Sequence, residues 1–123
     1  MRIIRKSEQQ TVIRPGDNRE VRFIFGEAVQ LCDWLVVTHS KQQCKDGEYS
    51  SVGFHSHPNA LELILFQKSG SLDIGGEQYD FMPGDAVVLE PQDIHGANEL
   101  NEHDCICILL GKGEPQKISL EGE

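Results

Sequence analysis

The stretch Gly53-Phe54-His55-Ser56-His57-Pro58-Asn59-Ala60-Leu61-Glu62 decides how the rest of the chain is read. On an extended backbone, side chains two apart leave the same face with alpha carbons roughly 6.5 Å apart, so His55 and His57 can point into one cavity. Pro58 has no backbone donor and Asn59 tolerates turn geometry. The strand is therefore expected to break there and a new one to start near Leu61, bringing Glu62 back beside the two imidazoles. A second, distant stretch, Pro91-Gln92-Asp93-Ile94-His95, offers a fourth donor. Imidazole nitrogens with one carboxylate suit a borderline divalent ion such as Fe, Mn, Ni, Co or Zn, with positions left open for water or substrate. Each histidine taken singly is more readily a hydrogen-bonded core or rim residue than a ligand. It is the four together that read as a metal site.

Outward from this arm the sequence reads as short strands. Leu31 to Thr38 holds the aromatic and branched run Trp34-Leu35-Val36-Val37-Thr38, and Tyr49 to His57 is the ligand strand. Leu61 to Gln67 alternates Glu62, Ile64 and Phe66 against Leu61, Leu63 and Leu65, so both faces are expected to be buried. Gly75-Gly76 is a two-residue hairpin signal between Ser71 to Ile74 and Glu77 to Phe81. Ala86 to Leu89, His95 to Asn98 and the apolar Asp104 to Leu110 complete the series. Near the start, Arg2 to Arg5 and Glu20 to Phe25 are expected to flank a turn at Pro15-Gly16-Asp17-Asn18. Ser40 to Glu48 reads as a polar loop, and residues 112–123 as a polar C-terminal tail or an edge segment. With no convincing amphipathic helix, the fold class is all-β. It is expected to be an antiparallel double-sheet barrel whose closure removes exposed edges and leaves an interior for one small ligand.

At 123 residues the chain is expected to be a single domain spanning 1–123. A formal charge of −9 argues against nucleic acid or an anionic membrane as partner, because phosphate binding needs clustered Lys and Arg. Met1 to Glu8 lack the apolar region of a secretory signal and no run approaches a membrane span, so a cytoplasmic location is expected. Of the four cysteines, Cys105 and Cys107 sit two apart in an apolar strand. They are expected to pack as reduced, small hydrophobes, with a Cys-x-Cys metal site as the lesser alternative.

The pattern His55-x-His57-x(4)-Glu62 followed by Gly70, then Pro83-Gly84-Asp85 with His95 eleven residues after Gly84, resembles the two motifs of the cupin superfamily. The likeness covers about residues 20–110. It implies a jelly-roll barrel (a double-stranded β-helix), one divalent transition metal (Fe, Mn, Ni or Zn) on His55, His57, Glu62 and His95, and a homodimer. The landmarks Gly47, Gly70, Pro91 and Asn98 are each displaced by a residue or so, and Asp93 replaces the usual turn glycine. A Gly26-Glu27 turn, an apolar strand and His-Ser-His-Pro are similar to the small monocupins, including a type acting on unsaturated uronates. That type carries an acid on its last strand, where only Asp104 stands here. The residues after Glu62 are Leu63, Ile64, Leu65 and Phe66, without the tyrosine of cupin lyases that act on sulfonium compounds.

Three functions follow. The first is a non-haem dioxygenase-type enzyme, in which Fe(II) with open positions meets a small aromatic or enol substrate against a wall of Phe54, Ile64, Phe66 and Trp34. The second is a non-redox isomerase or lyase acting on a sugar acid or related carbonyl compound. Arg22 would hold the carboxylate, and Tyr49, His39 or Asp93 would transfer protons. The candidate catalytic residues are thus Tyr49, Arg22 and Asp93, and His103 is a surface residue. The third is a small-molecule-binding or sensory module without turnover.

Overall fold

The computed structural model describes residues 1–25, 32–42, 52–97 and 103–119. Among the described residues, two five-stranded antiparallel sheets make up most of the fold. The first has the order β1 (Arg2–Ile4), β9 (Ala86–Leu89), β6 (Ala60–Phe66), β11 (His103–Gly111), β4 (Trp34–Gln42). The second has the order β12 (Ile118–Ser119), β5 (Val52–Ser56), β10 (His95–Ala97), β7 (Gly70–Ile74), β8 (Glu77–Phe81). A separate hairpin pairs β2 (Gln10–Ile13) with β3 (Glu20–Phe23). Apart from the β7–β8 hairpin, the neighbours within the two sheets are sequence-distant, which is the arrangement of a jelly roll.

Strand β6 shows why the core lies where it does. Its even positions, Glu62, Ile64 and Phe66, and its first residue Ala60 are buried, and the odd positions are half-buried. One face therefore looks into the barrel and the other is only partly covered, a correction to the expectation that both are buried. Strand β9, Ala-Val-Val-Leu, is buried throughout because Ile4 and its neighbours cover its outer face. Inside the barrel, Phe66 stacks on Phe81 with centroids 4.2 Å apart, and Ile64, Leu72, Ile74, Val87, Leu89 and Cys105 pack around them. Gly75 and Gly76, both at positive φ, make the tight turn between β7 and β8 that their sequence announces.

Several expectations are revised. The Pro15–Asn18 turn joins β2 to β3, whereas Arg2–Ile4 pairs with Ala86–Val88 on the first sheet. The packed core thus reaches back beyond residue 20, with Ile4 buried in it. Part of the polar stretch after Ser40 continues β4 as far as Gln42. The C-terminal segment is an edge strand in part: Ile118 pairs with Ser56 and Ser119 with His55. Asn59 ties this segment down, its Nδ2 donating to the carbonyls of Lys112 (2.5 Å) and Glu114, while Lys112 N–H donates to the Asn59 carbonyl at 3.0 Å.

Trp34 closes one end of the barrel wall and does not reach the interior cavity described below. Its indole lies over Gly111 and its Nε1 donates to the Gly113 carbonyl at 2.7 Å. A Cβ at residue 111 would stand 1.9 Å from Trp34 Cζ2. Gly111→Ala is therefore expected to displace the indole and cost about 1–3 kcal/mol. Because the chain has one tryptophan, intrinsic fluorescence together with chemical denaturation reads both effects.

Candidate metal centre

Strands β5 and β10 run side by side in the second sheet and place His95 directly opposite His55. A donor 40 residues downstream thereby joins the arm. The ring centroids are 4.3 Å apart for His55 and His95, 5.0 Å for His55 and His57, and 5.9 Å for His57 and His95. One nitrogen from each of the three rings lies within 4.8 Å of the others. Glu62 comes from β6 on the facing sheet. Its Oε1 stands 3.0 Å from His95 Nε2 and 3.9 Å from His57 Nε2. The three rings thus meet between the two sheets with the Glu62 carboxylate beside His95; His55, His95 and Glu62 are buried and His57 is half-buried.

The protons decide what this cluster is built to hold. His95 Nδ1 lies 3.1 Å from the Asp93 carbonyl and His57 Nδ1 lies 3.4 Å from the Gln116 carbonyl. A carbonyl only accepts, so in both rings the hydrogen-bonded nitrogen carries the proton and, in the neutral tautomer, Nε2 is a bare lone pair. The His95 Nε2 lone pair then faces the Glu62 carboxylate at 3.0 Å, and Glu62 Oε1 is buried without a hydrogen-bond partner. Two acceptors this close, removed from water, repel unless a proton on His95 Nε2 or a metal cation lies between them. Two donor atoms each about 2.1 Å from one ion and at right angles around it stand about 3.0 Å apart, so the spacing fits a shared divalent ion. Ring nitrogens held by backbone carbonyls are the usual support for metal-bound histidine. The donor set suits Fe, Mn, Ni, Co or Zn alike.

Beside the cluster lies a cavity of about 240 Å³. Ile64, Phe66, Leu72 and Leu109 form its apolar lining, with Thr38, Ser40, Cys105 and Cys107 on the side made by β4 and β11. The wall expected from the sequence is thus kept at Ile64 and Phe66 and lost at Trp34. Of Phe54 only the backbone is described. The cysteines keep the reduced, apolar character expected of them, yet they face a space instead of filling one. Burial, reinforced by neighbouring Cys107 and Asp104, pushes the Cys105 thiol up to about 12, and burial with the charge of Glu62 pushes Cys107 up to about 11. Both are neutral thiols near pH 7, and neither belongs to the three-histidine group.

The candidate catalytic residues are not gathered here. Arg22 sits on the β2–β3 hairpin outside both large sheets and does not line the cavity. The Asp93 side chain is turned into its own loop, where it accepts from Glu90 N–H at 2.8 Å, and only its carbonyl serves the site, through His95. Tyr49 lies outside the described residues. His39 projects from the outer face of β4, between the inward Thr38 and Ser40, and pairs with Asp104. Among the described lining residues there is no Lys or Arg. Sequence reasoning missed Asn59 and Gln116 as supports of the ligand arm and Thr38 and Ser40 as cavity residues. For the last two, the alternation across β4 was the available signal.

An ion held by these imidazoles should stabilise the fold by mass action, by about 2.7 kcal/mol at a free concentration 100-fold above Kd. Protonated imidazole cannot ligate, so the rise in Tm on adding the ion should be larger at pH 8 than at pH 5. Differential scanning fluorimetry with and without Mn²⁺ at the two pH values checks this.

No protein-family model matches the sequence, and no curated protein matches it significantly. Solved structures do match in shape. A salicylate 1,2-dioxygenase from Pseudaminobacter salicylatoxidans aligns over 82% of this chain with a TM-score of 0.51 at 11% identity; the chain spans only 25% of that protein. A point mutant of the 3,4-ketoisomerase QdtA from Thermoanaerobacterium thermosaccharolyticum, in complex with TDP-4-keto-6-deoxyglucose, aligns over 95% of this chain and 85% of its own length, with a TM-score of 0.50 at 12% identity. A cupin protein from Bacteroides fragilis aligns over 72% of this chain and 67% of its own, with a TM-score of 0.45 at 14% identity. With its paired antiparallel sheets, and with the His-x-His-x(4)-Glu and distal His landmarks on strands that converge, the chain has the fold of the cupin superfamily.

Proposed function

We propose that the chain is a mononuclear, metal-dependent enzyme of dioxygenase type that acts on a small organic substrate. The observation that carries this reading is the contact between a donor cluster of three histidines and one carboxylate and an apolar cavity lined, among the described residues, by no basic side chain. His55, His57, His95 and Glu62 would hold the ion. When bound there, Fe(II) would supply open positions at which dioxygen and an electron-rich substrate can meet. The chain itself does the rest. The carbonyls of Asp93 and Gln116 fix two of the rings, Ile64, Phe66 and Leu72 keep water from the reacting end, and Glu62 balances the charge of the ion. A sugar acid is less well served, because no Lys or Arg among the described lining residues is there to hold its carboxylate.

The test is metal analysis of protein purified without added metal, joined to O₂ uptake with catechols, enols, thiols and unsaturated uronates. Iron near one per chain and substrate-dependent O₂ uptake are the expected results. Turnover without O₂ would replace this reading by the isomerase or lyase, and tight ligand binding without product would replace it by the sensory module.

A further inference from the structure

Four small polar side chains stand together on one wall of the cavity. In the register of β11 against β4, Cys107 lies opposite Thr38 and Cys105 opposite Ser40. All four line the cavity, and Cys107 is hydrogen-bonded to Thr38. On the other side of β11, Cys107 lies opposite Ile64 and Cys105 opposite Phe66, and the next rung towards the histidines pairs Leu109 with Glu62. The wall therefore begins one rung, roughly 6.6–6.8 Å, from the carboxylate of the donor cluster and runs for one rung more.

A core position on such a strand favours a side chain that fills the space to crystal-like density. Here four adjacent positions facing the cavity, Cys105 buried, Cys107 and Ser40 half-buried and Thr38 exposed, carry small side chains, while Ile64, Phe66, Leu72 and Leu109 around them are large. The small residues are what leaves the cavity open. Its volume, about 240 Å³, exceeds the roughly 150 Å³ of an apolar cavity known to take up benzene, so one ring with a substituent fits. Two rungs of strand set a matching length. Thiol and hydroxyl groups offer weak, adjustable hydrogen bonds and no net charge to the edge of such a ring.

We infer that the paired residues Thr38–Cys107 and Ser40–Cys105 are the specificity-determining wall of the site, and that the substrate is an uncharged, single-ring molecule of the phenol or enol class. Its hydroxyl end is directed to His95 and Glu62, and its body lies between this wall and Ile64 and Phe66. The inference rests on the functional reading above for the direction in which the molecule lies, and on the cavity alone for its class.

Calorimetric titration of phenol, 2-naphthol and benzoate into iron-loaded and chelator-treated protein tests it, with iron content measured on every sample. Cys107→Leu fills the wall and should weaken phenol binding at least tenfold with iron content unchanged. Cys107→Ala enlarges it and should leave phenol within threefold while tightening 2-naphthol at least threefold. The second variant removes atoms instead of adding them, so it keeps the test decisive if the first folds poorly. Phenol binding that is the same in parent, Cys107→Leu and Cys107→Ala overturns the inference. So does benzoate binding as tightly as phenol, and so does an iron-loaded parent that takes up no phenol. A parent chain that binds no iron yet shows the stated dependence on residue 107 supports the wall and removes the metal-dependent reading instead.

Discussion

A chain carrying His95→Ala is expected to bind its divalent ion at least a hundredfold more weakly than the parent. Losing an outer support of a metal ligand typically costs 10–100-fold, and losing the ligand itself should cost more. Among the three rings His95 has the most to lose. It is buried, its ring is 4.3 Å from His55, and its Nε2 is 3.0 Å from the Glu62 carboxylate. Equilibrium competition with a chromophoric chelator measures the loss. His39→Ala is the matched control: His39 is on the outer face of β4 and bonded to Asp104, so its removal should leave metal affinity unchanged. Parent-like affinity in His95→Ala would take His95, and with it the four-donor centre, out of the account.

Asp85→Ala is expected to be the most damaging single change to the fold outside the site, at about 3–5 kcal/mol and a fall in Tm of roughly 10 °C or more. Asp85 follows the Pro83-Gly84 turn, is 3% exposed, and collects three donors. Lys6 N–H reaches Oδ1 at 2.9 Å, and Met82 N–H and Arg5 Nη1 each reach Oδ2 at 2.8 Å. It thereby fastens the N-terminal segment to the β8–β9 turn. Burial opposes ionisation of this carboxyl, but the Met82 and Lys6 amides and the Arg5 guanidinium outweigh it and hold the group below its ordinary value of 3.8. The unfolded chain therefore takes up the proton first on acidification. The stabilisation is complete above the ordinary carboxylate range and is lost as pH falls below it through the lower folded-state value. Urea denaturation between pH 7 and 2.5 should show a steep acid limb in the parent and a shallower one in Asp85→Asn. Arg5, 40% exposed, contributes less, and Arg5→Ala should cost about 1 kcal/mol.

The parts of this architecture that could be read from residues are those where a local rule and the tertiary environment agree. Strands β8 and β9 lie where the Gly-Gly and Pro-Gly-Asp turns put them, and His55 and His57 share a side because they stand two apart around the end of one strand, whereas Glu62 reaches them only across the gap between the two sheets. Strand β2 escaped notice because Gln10-Thr11-Val12-Ile13 is exposed throughout and so shows no alternation of face. The pairing of β1 with β9 joins residues more than 80 positions apart and leaves no trace in either segment alone. Cys105 and Cys107 are expected to pack as small hydrophobes and instead line a cavity, because periodicity cannot separate a filled core from a cavity wall when both are apolar. Trp34 was assigned to that wall on size and hydrophobicity. Its neighbour Gly111, the only kind of residue over which an indole can lie that closely, is the feature that fixes it elsewhere.

The C-terminal strand hands the centre a dependence on the far end of the chain. The Gln116 carbonyl orients His57, and Ser119 pairs with His55. Coupling of this kind is reciprocal: whatever a seated strand lends to ion affinity, a seated ion returns to the strand. Backbone amides of Ile118 and Ser119 should therefore exchange deuterium more slowly in the loaded protein than in the stripped one, and the centre would report on the integrity of a terminus that carries none of its ligands.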